Sequence, residues 1–322
     1  MFVARGLGRK IVVTRGFVPR GAPRPVALTI GNFDGVHKAH QAMLGRLIDA
    51  ARARGLAATV LTFEPHPREF FAPQSAPTRL TSLREKLELL SAHGVDHVHV
   101  QPFARAFAGL APDAFAERFL VGALGARFIL VGDDFRYGAK RAGDFASLAQ
   151  AAARHGFELD AMPTVSNGGV RVSSTAVREA LAAGALDRAR ALLGRPYSIS
   201  GRVLRGDGLG RKLGFPTANV QMKHNRPPLS GIFAVRVHGV EAGVRDAVAS
   251  LGVRPTVRSD NLPVLEVFVF DFAGDLYGRH LRVEFLAKLR DEAKYPDLDT
   301  LKAQIARDCD AARDLLKTSE SA

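Results

Sequence analysis

Two stretches of this 322-residue chain carry residue types at spacings that suit phosphate chemistry. The first reads Gly31-Asn32-Phe33-Asp34-Gly35-Val36-His37-Lys38-Ala39-His40-Gln41. Gly31 and Gly35 permit a tight turn and a close approach of backbone to a ligand. His37 and His40 stand three apart at the start of a predicted helix, so they share one face. A helix N-terminus favours anions through its free N–H groups and its dipole. Two imidazoles there could donate to phosphate oxygens and stabilise charge developing on an α-phosphate during in-line attack. A surface HxxH and a metal pair compete with this reading, but two histidines without a third ligand make a poor metal site.

The second stretch covers residues 201–219 and ends on Pro216-Thr217-Ala218-Asn219. Gly206, Gly208 and Gly210 could expose backbone N–H groups toward phosphates, and Arg211 and Lys212 add positive charge. The pattern G-x-x-x-x-G-K-[ST] is absent, so this is not a P-loop. Nor does the glycine spacing fit a dinucleotide fingerprint. Downstream, Glu266 lies in a predicted strand over 264–272, on the same face as Phe268, Phe270 and Phe272 by period-2 alternation. A carboxylate on an aromatic face is either at an exposed strand end or in a site. Burial there would raise its pKa and suit a general base.

These loops need a scaffold, and the two halves of the chain offer different ones. In the first half, apolar runs at 26–31, 56–63, 95–100, 126–132 and 157–162 read as strands. Helical spacing fills 38–54, 82–93, 112–124 and 144–155 between them. That alternation predicts an α/β, Rossmann-like domain with a parallel sheet, and directs attention to the loops after Ile30, Phe63, Val100 and Val131. Two short helices split at Gly184 follow over 174–193. From Tyr197 onward, β-like segments dominate and one terminal helix covers 297–316, which predicts a small antiparallel β-barrel. The expected domains are 1–193 and 194–322.

Composition narrows the class. Apolar residues make up 47% of the chain, too many for a disordered protein. No uncharged run approaches a membrane span, and the N-terminus lacks the apolar stretch of a signal peptide. The single cysteine, Cys309, excludes an intrachain disulfide framework. Cytoplasmic residence is the expectation. The net charge of +13 would suit nucleic acid. However, six basic residues (Arg5, Arg9, Lys10, Arg15, Arg20 and Arg24) precede the first acid, Asp34, and no nucleic-acid motif accompanies them. A basic enzyme acting on anionic small molecules, without a nucleic-acid or membrane partner, is the simpler reading.

Several further motifs agree in order and spacing. They are Thr62-Phe63-Glu64-Pro65-His66-Pro67, Arg79-Leu80-Thr81-Ser82 with Lys86, Val131-Gly132-Asp133-Asp134-Phe135-Arg136-Tyr137-Gly138, and Val172-Ser173-Ser174-Thr175-Ala176-Val177-Arg178. With Leu251-Gly252-Val253-Arg254-Pro255-Thr256, Asp275-Leu276-Tyr277-Gly278 and Leu289-Arg290-Asp291-Glu292, they span nearly the whole chain. Together these segments resemble the bacterial bifunctional riboflavin kinase/FAD synthetases. The His37–His40 segment resembles the HxGH region of the nucleotidyltransferases.

The resemblance implies two reactions: phosphorylation of riboflavin to FMN by ATP, and adenylylation of FMN to FAD with release of pyrophosphate. It assigns His37, His40 and Arg178 to ATP phosphates, with Gly31, Phe33, Asp34, Ser174 and Thr175 in the same region. Pro65, His66, Asp134, Arg136 and Arg290 would meet flavin. His66 is equally a structural turn residue, Ser and Thr at a helix start are equally N-caps, and Arg290 is equally a loop ion pair. In this family Thr and Asn of the PTAN motif hold magnesium, which here means Thr217 and Asn219. Glu266 would accept the proton of the riboflavin 5′-hydroxyl. A weak homo-oligomer is compatible with all of this. One departure stands out: Ala39 replaces the glycine between the two histidines. It leaves open a reduced adenylyltransferase and, as the alternative, a riboflavin kinase only.

Overall fold

The structure is a computed structural model that describes residues 2–5, 10–16, 23–206, 208–223, 226–241, 243–253 and 263–318. Asp207 and the Arg254-Pro255-Thr256 part of one motif lie outside the described residues. The chain falls into two compact units. One comprises Met1–Pro77 and Leu83–Ser173, the other Thr78–Ser82 and Ser174–Ala322.

The first unit is built on a seven-stranded sheet. Its strands are β1 (Phe2–Arg5), β2 (Lys10–Arg15), β3 (Val26–Ile30), β4 (Ala57–Glu64), β5 (His97–Pro102), β6 (Ala126–Gly132) and β7 (Glu158–Met162), in the order β1-β2-β5-β4-β3-β6-β7. Every pairing is parallel except β1 with β2. The apolar run Val26–Ile30 is buried at every position, as a central parallel strand covered on both faces must be. The helix Lys38–Ala53 turns Leu44, Leu47, Ile48 and Ala51 toward the sheet. The helix Phe145–His155 starts at a reciprocal Asp144–Ser147 capping box and stops at Gly156 in the left-handed region. The segment expected to be helical over 112–124 is helical, as a short α-turn leading into a π-helix, Phe115–Ala123. A small hairpin, β8 (Ser166–Asn167) with β9 (Val170–Arg171), closes the unit.

Strands β1 and β2 were not foreseen, because the basic residues around IVVT mask a short alternating strand. Ile11 and Val13 are buried in the core while Lys10 and Val12 face out. In β2, Thr14 sits opposite His99 of β5.

In the second unit, the helices Ser174–Ala182 and Leu186–Leu193 precede a closed six-stranded barrel. Its strands are β10 (Tyr197–Leu204), β11 (Ala218–Gln221), β12 (Gly231–His238), β13 (Val244–Val253), β14 (Pro263–Val269) and β15 (His280–Arg290), in the order β10-β11-β14-β13-β12-β15, all antiparallel. Closure removes every sheet edge. The terminal helix Leu298–Thr318 lays Cys309, Ala312 and Leu316 against Ala234, Val248 and Phe270. Burial pushes the Cys309 thiol up to about 11, which leaves it a packing residue.

If β2 belongs to the core, Ile11→Ala should cost roughly 2–5 kcal/mol, the range for truncating a fully buried aliphatic side chain. Denaturant unfolding of the purified chain measures this, and an unchanged midpoint would place the strand outside the core.

Candidate active sites

In the first unit, the loops after β3, β4, β5 and β6 open onto one 1080 Å³ cavity, at the carboxyl ends of the strands. Strand order reverses at β3, because β4 and β5 extend the sheet one way and β6 and β7 the other. The loop after β3 is tightly wound. Gly35 has φ 82°, and Phe33 and Val36 also lie in the left-handed region at φ 47° and 41°. Two non-glycine residues held there cost on the order of 1–3 kcal/mol each, a price that clusters at functional loops. Phe33 and Asp34 are buried, so they build the loop from within.

His37 is the N-cap of the helix Lys38–Ala53, and its Nδ1 accepts from the His40 backbone N–H at 3.4 Å. The two imidazoles stack with centroids 3.7 Å apart, and the Phe33 ring lies 4.8 Å from His40 on another side. Burial, then the nearby His37 and Lys86, holds His40 well below the usual histidine range. The ring is therefore neutral at pH 7. His40 Nδ1 and Asn32 Oδ1 are buried atoms without a hydrogen-bond partner among the described residues. Such atoms are costly unless something supplies a partner. Ala39 lies in the first turn of a regular helix, so its methyl group does not disturb the loop.

The expected flavin residues divide. His66, Asp134 and Arg136 line the cavity. His66 also caps the short helix Pro67–Phe71, in a capping box with Glu69. Asp134 is paired with Arg171 at 2.6 Å, and Arg136 with Asp144 at 3.2 Å. Sequence reading missed the aromatic wall of this cavity, formed by Phe63, Phe103, Phe107, Phe115 and Tyr137. Their scatter over a strand end, two helices and two loops gives no local pattern. It also missed Lys140 and Arg141, which line the same cavity at positive φ and form no ion pair among the described residues.

Ser174, Thr175 and Arg178 open the helix Ser174–Ala182 and belong to the second unit, where Arg178 Nε donates to the Thr78 carbonyl at 2.6 Å.

In the barrel, two cavities share Gly210, Thr217 and Glu266. One, of 210 Å³, is polar, lined by Gly206, Gly208, Arg211, Pro216, Asn219 and Tyr277 besides the shared residues. The other, of 410 Å³, is largely apolar, with Leu213, Phe215, Ile232, Phe268, Leu301 and Ile305 in its wall. Glycine is required at two points of the cradle. A Cβ at Gly206 would overlap the Asn219 side chain, and one at Gly210 would overlap the Phe215 carbonyl and approach Thr217 Oγ1 at 3.1 Å. Gly208 supplies the left-handed turn at φ 70°. Lys212 ends the short helix Leu209–Lys212, and its side chain lies outside the described residues.

Glu266 pairs with Asn219 across β11 and with Ser250 across β13. It is half-buried, on the face it shares with Phe268. Strand β14 ends at Val269, so Phe270 and Phe272 are not on that strand as expected. Arg290 lines the apolar cavity, and its guanidinium forks onto Asp308 at 2.9 and 2.6 Å. Glu292, not singled out before, faces the same cavity and accepts from Ser250 Oγ at 3.4 Å. Burial pushes its carboxyl above the usual range, and the Glu266 charge adds to the effect.

A parallel sheet with a histidine-bearing loop, joined to a barrel with a glycine cradle, defines a two-domain phosphotransferase and nucleotidyltransferase class. The FAD synthetase family model matches residues 20–176, and the riboflavin kinase family model matches residues 193–316. The bifunctional riboflavin kinase/FMN adenylyltransferase of Escherichia coli K12 is 49% identical over 295 residues, covering 92% of this chain and 94% of the relative. That of Pseudomonas fluorescens is 48% identical over 296 residues, with the same coverage. A crystal structure described as a macrolide-efflux protein from Streptococcus pneumoniae superimposes with a TM-score of 0.79 at 27% identity, over 94% of this chain and 99% of that one. The chain belongs to the bifunctional riboflavin kinase/FMN adenylyltransferase family.

Because the folded-state pKa of His40 is depressed, its ring should remain neutral as pH falls through 6.5, where an ordinary histidine gains its proton. An NMR titration of the imidazole resonances checks this. A midpoint near 6.5 would contradict the packing described.

Proposed function

We propose that the barrel transfers the γ-phosphoryl group of ATP to riboflavin, and that the N-terminal domain then transfers AMP from ATP to the FMN formed. Presence of both family domains disfavours the kinase-only alternative. The functional division proposed is 193/194, near the start of the riboflavin kinase match at residue 193, although the compact units divide at Ser173/Ser174. No helix among the described residues is long and apolar enough to cross a membrane. ATP consumption and small soluble substrates are in keeping with work in the cytoplasm.

One observation carries the kinase reading: Glu266 belongs to the walls of both the apolar cavity and the glycine cradle. An apolar cavity suits an isoalloxazine ring, and a cradle of glycine amides with Arg211 suits phosphates. A carboxylate on their common boundary meets the one hydroxyl that must lose a proton. The 5′-oxygen attacks the γ-phosphorus, the bond to the β-phosphate oxygen breaks, ADP leaves, and Glu266 takes the hydroxyl proton. Thr217 and Asn219 are neutral oxygen donors beside the cradle, as a hard cation requires. Among the described residues no cluster of three or more His, Cys, Asp or Glu could hold a metal ion. Magnesium therefore fits Thr217 and Asn219 only with nucleotide phosphates completing its shell, where it would neutralise their charge.

In the first unit the flavin ring of FMN takes the aromatic cavity. Its phosphate oxygen attacks the α-phosphorus of ATP, and pyrophosphate leaves. Both reactants are anions, so positioning and charge neutralisation dominate. The N-terminus of the helix at His37, the neutral His40 ring, Lys140 and Arg141 supply donors and positive charge. The nucleophile already lacks its proton, so no base is needed.

Glu266→Gln should lower FMN formation at least about 100-fold, the scale of general-base removal, while FAD synthesis from supplied FMN stays intact. His37→Ala should do the reverse. Chromatography of products from two separate incubations, riboflavin with ATP and magnesium and FMN with ATP and magnesium, measures the two activities independently, and loss of both in either variant would refute two separate sites. Gly210→Ala should likewise abolish the kinase selectively, because the added methyl group closes the cradle onto Thr217.

A further inference from the structure

Strand β2 precedes the segment matched by the FAD synthetase model, which begins at residue 20. It nevertheless delivers a hydroxyl to a histidine pair beneath the flavin wall. Thr14 Oγ1 lies 2.8 Å from His97 Nε2 and 2.9 Å from His99 Nδ1. His97, His99 and Gln101 alternate along β5 and so share the face that Thr14 meets.

Only one arrangement of protons satisfies this network. Gln101 Nε2 donates to the Pro102 carbonyl at 3.1 Å, so its Oε1 is the atom 3.2 Å from His99 Nε2. Oε1 can only accept, so His99 carries its proton on Nε2 and its Nδ1 is bare. Thr14 must donate to that bare nitrogen. Its oxygen then accepts from His97, which therefore also carries its proton on Nε2. Burial keeps both rings neutral, with His97 lowered to about 4 and His99 lowered in the same direction.

The ordered end of this chain touches the cavity. The His99 ring meets Phe119 edge-on at 5.9 Å, and Phe119 meets Phe107 at 5.0 Å. Phe107 in turn packs on Phe103 and Phe63, each at 5.9 Å, and all three line the cavity. Gln101 and Pro102 lead directly into Phe103.

We propose that Thr14 is a positioning residue of the adenylyltransferase: its hydroxyl fixes His97 and His99 in one tautomer and so seats the Phe103–Phe107 wall against the flavin ring. This rests on the reading that the aromatic cavity takes the flavin of FMN. It gives the N-terminal leader a function that its basic charge alone did not suggest.

The test uses the full chain with Thr14→Val, which keeps the volume and loses the hydroxyl, and Thr14→Ser, which keeps the hydroxyl. Thr14→Val should raise the KM for FMN about fivefold to tenfold, the scale of one lost buried hydrogen bond. Its kcat for FAD formation and its riboflavin kinase activity should stay near those of the unaltered chain. Thr14→Ser should restore the KM. In the unaltered chain, 15N NMR should report both His97 and His99 as Nε2–H tautomers, a readout that stands even if Thr14→Val fails to fold. An unchanged KM in Thr14→Val, equal impairment in both variants, or an Nδ1–H tautomer at His99 would each overturn the proposal. Failure of the unaltered chain to make FAD from FMN would instead overturn the functional reading, and needs no substitution to be seen.

Discussion

Cross-strand pairing at Glu266 organises the barrel unit. Asn219 and Ser250 flank it in register on β11 and β13, so three strands bring a carboxylate, an amide and a hydroxyl to one patch. A shift of one residue in either pairing would turn Glu266 into the barrel interior, where Leu265 and Val267 now pack. Register is fixed because those interior positions are wholly apolar. Barrel closure therefore does more than stabilise the unit: it holds the boundary between a polar cradle and an apolar cavity at one side chain. The glycines serve the same boundary. Gly206 and Gly210 matter as much for letting Asn219 and Thr217 approach as for the amides they expose.

The sheet unit meets its anions differently. Much of its positive charge is spent on ion pairs with acidic neighbours, such as Arg54 with Glu158, Arg46 with Asp160 and Arg154 with Asp113. Exposed pairs of this kind contribute little to stability, and they set these arginines beside acids rather than in a continuous basic surface. Near the cavity, positive potential comes from Lys140 and Arg141, which no acid neutralises among the described residues, and from a helix N-terminus. The excess charge is thus better suited to small polyphosphates and flavin phosphate than to a broad nucleic-acid surface.

Strand and helix patterns longer than about six residues were legible in the sequence because burial on one or both faces imposes a period that composition displays. Short motifs were legible where backbone constraint demands glycine or proline, as in residues 206–216. What escaped shares a different physics. Lys10–Arg15 is a strand only because β5 offers it an edge, and its charged flanks hide a short segment that buries only Ile11 and Val13. The aromatic wall is assembled from a strand end, two helices and two loops, so no local spacing encodes it. Pairing fates were also invisible: Asp134, Arg136 and Arg290 were named for their chemistry, yet each spends that chemistry on a partner 8–37 residues away. Glu292 was passed over because nothing in its neighbours reveals that Gly252 lets it fold back toward Ser250.

The different side chains of the two units follow from the two nucleophiles. A ribityl hydroxyl has a proton to lose, and its pKa lies far above neutrality, so a carboxylate must stand within reach of it. A phosphate monoester attacks as an anion already. A carboxylate beside it would only repel the approaching nucleotide. Neutral imidazoles and backbone amides donate hydrogen bonds without competing for a proton. The packing that removes the charge from His40, between His37 and Phe33, is then suited to the chemistry, since it leaves a neutral donor poised over a helix N-terminus. On the proposed mechanism, one chain can run both reactions in sequence because the product of the first is a phosphate monoester, the anionic nucleophile that the second reaction needs.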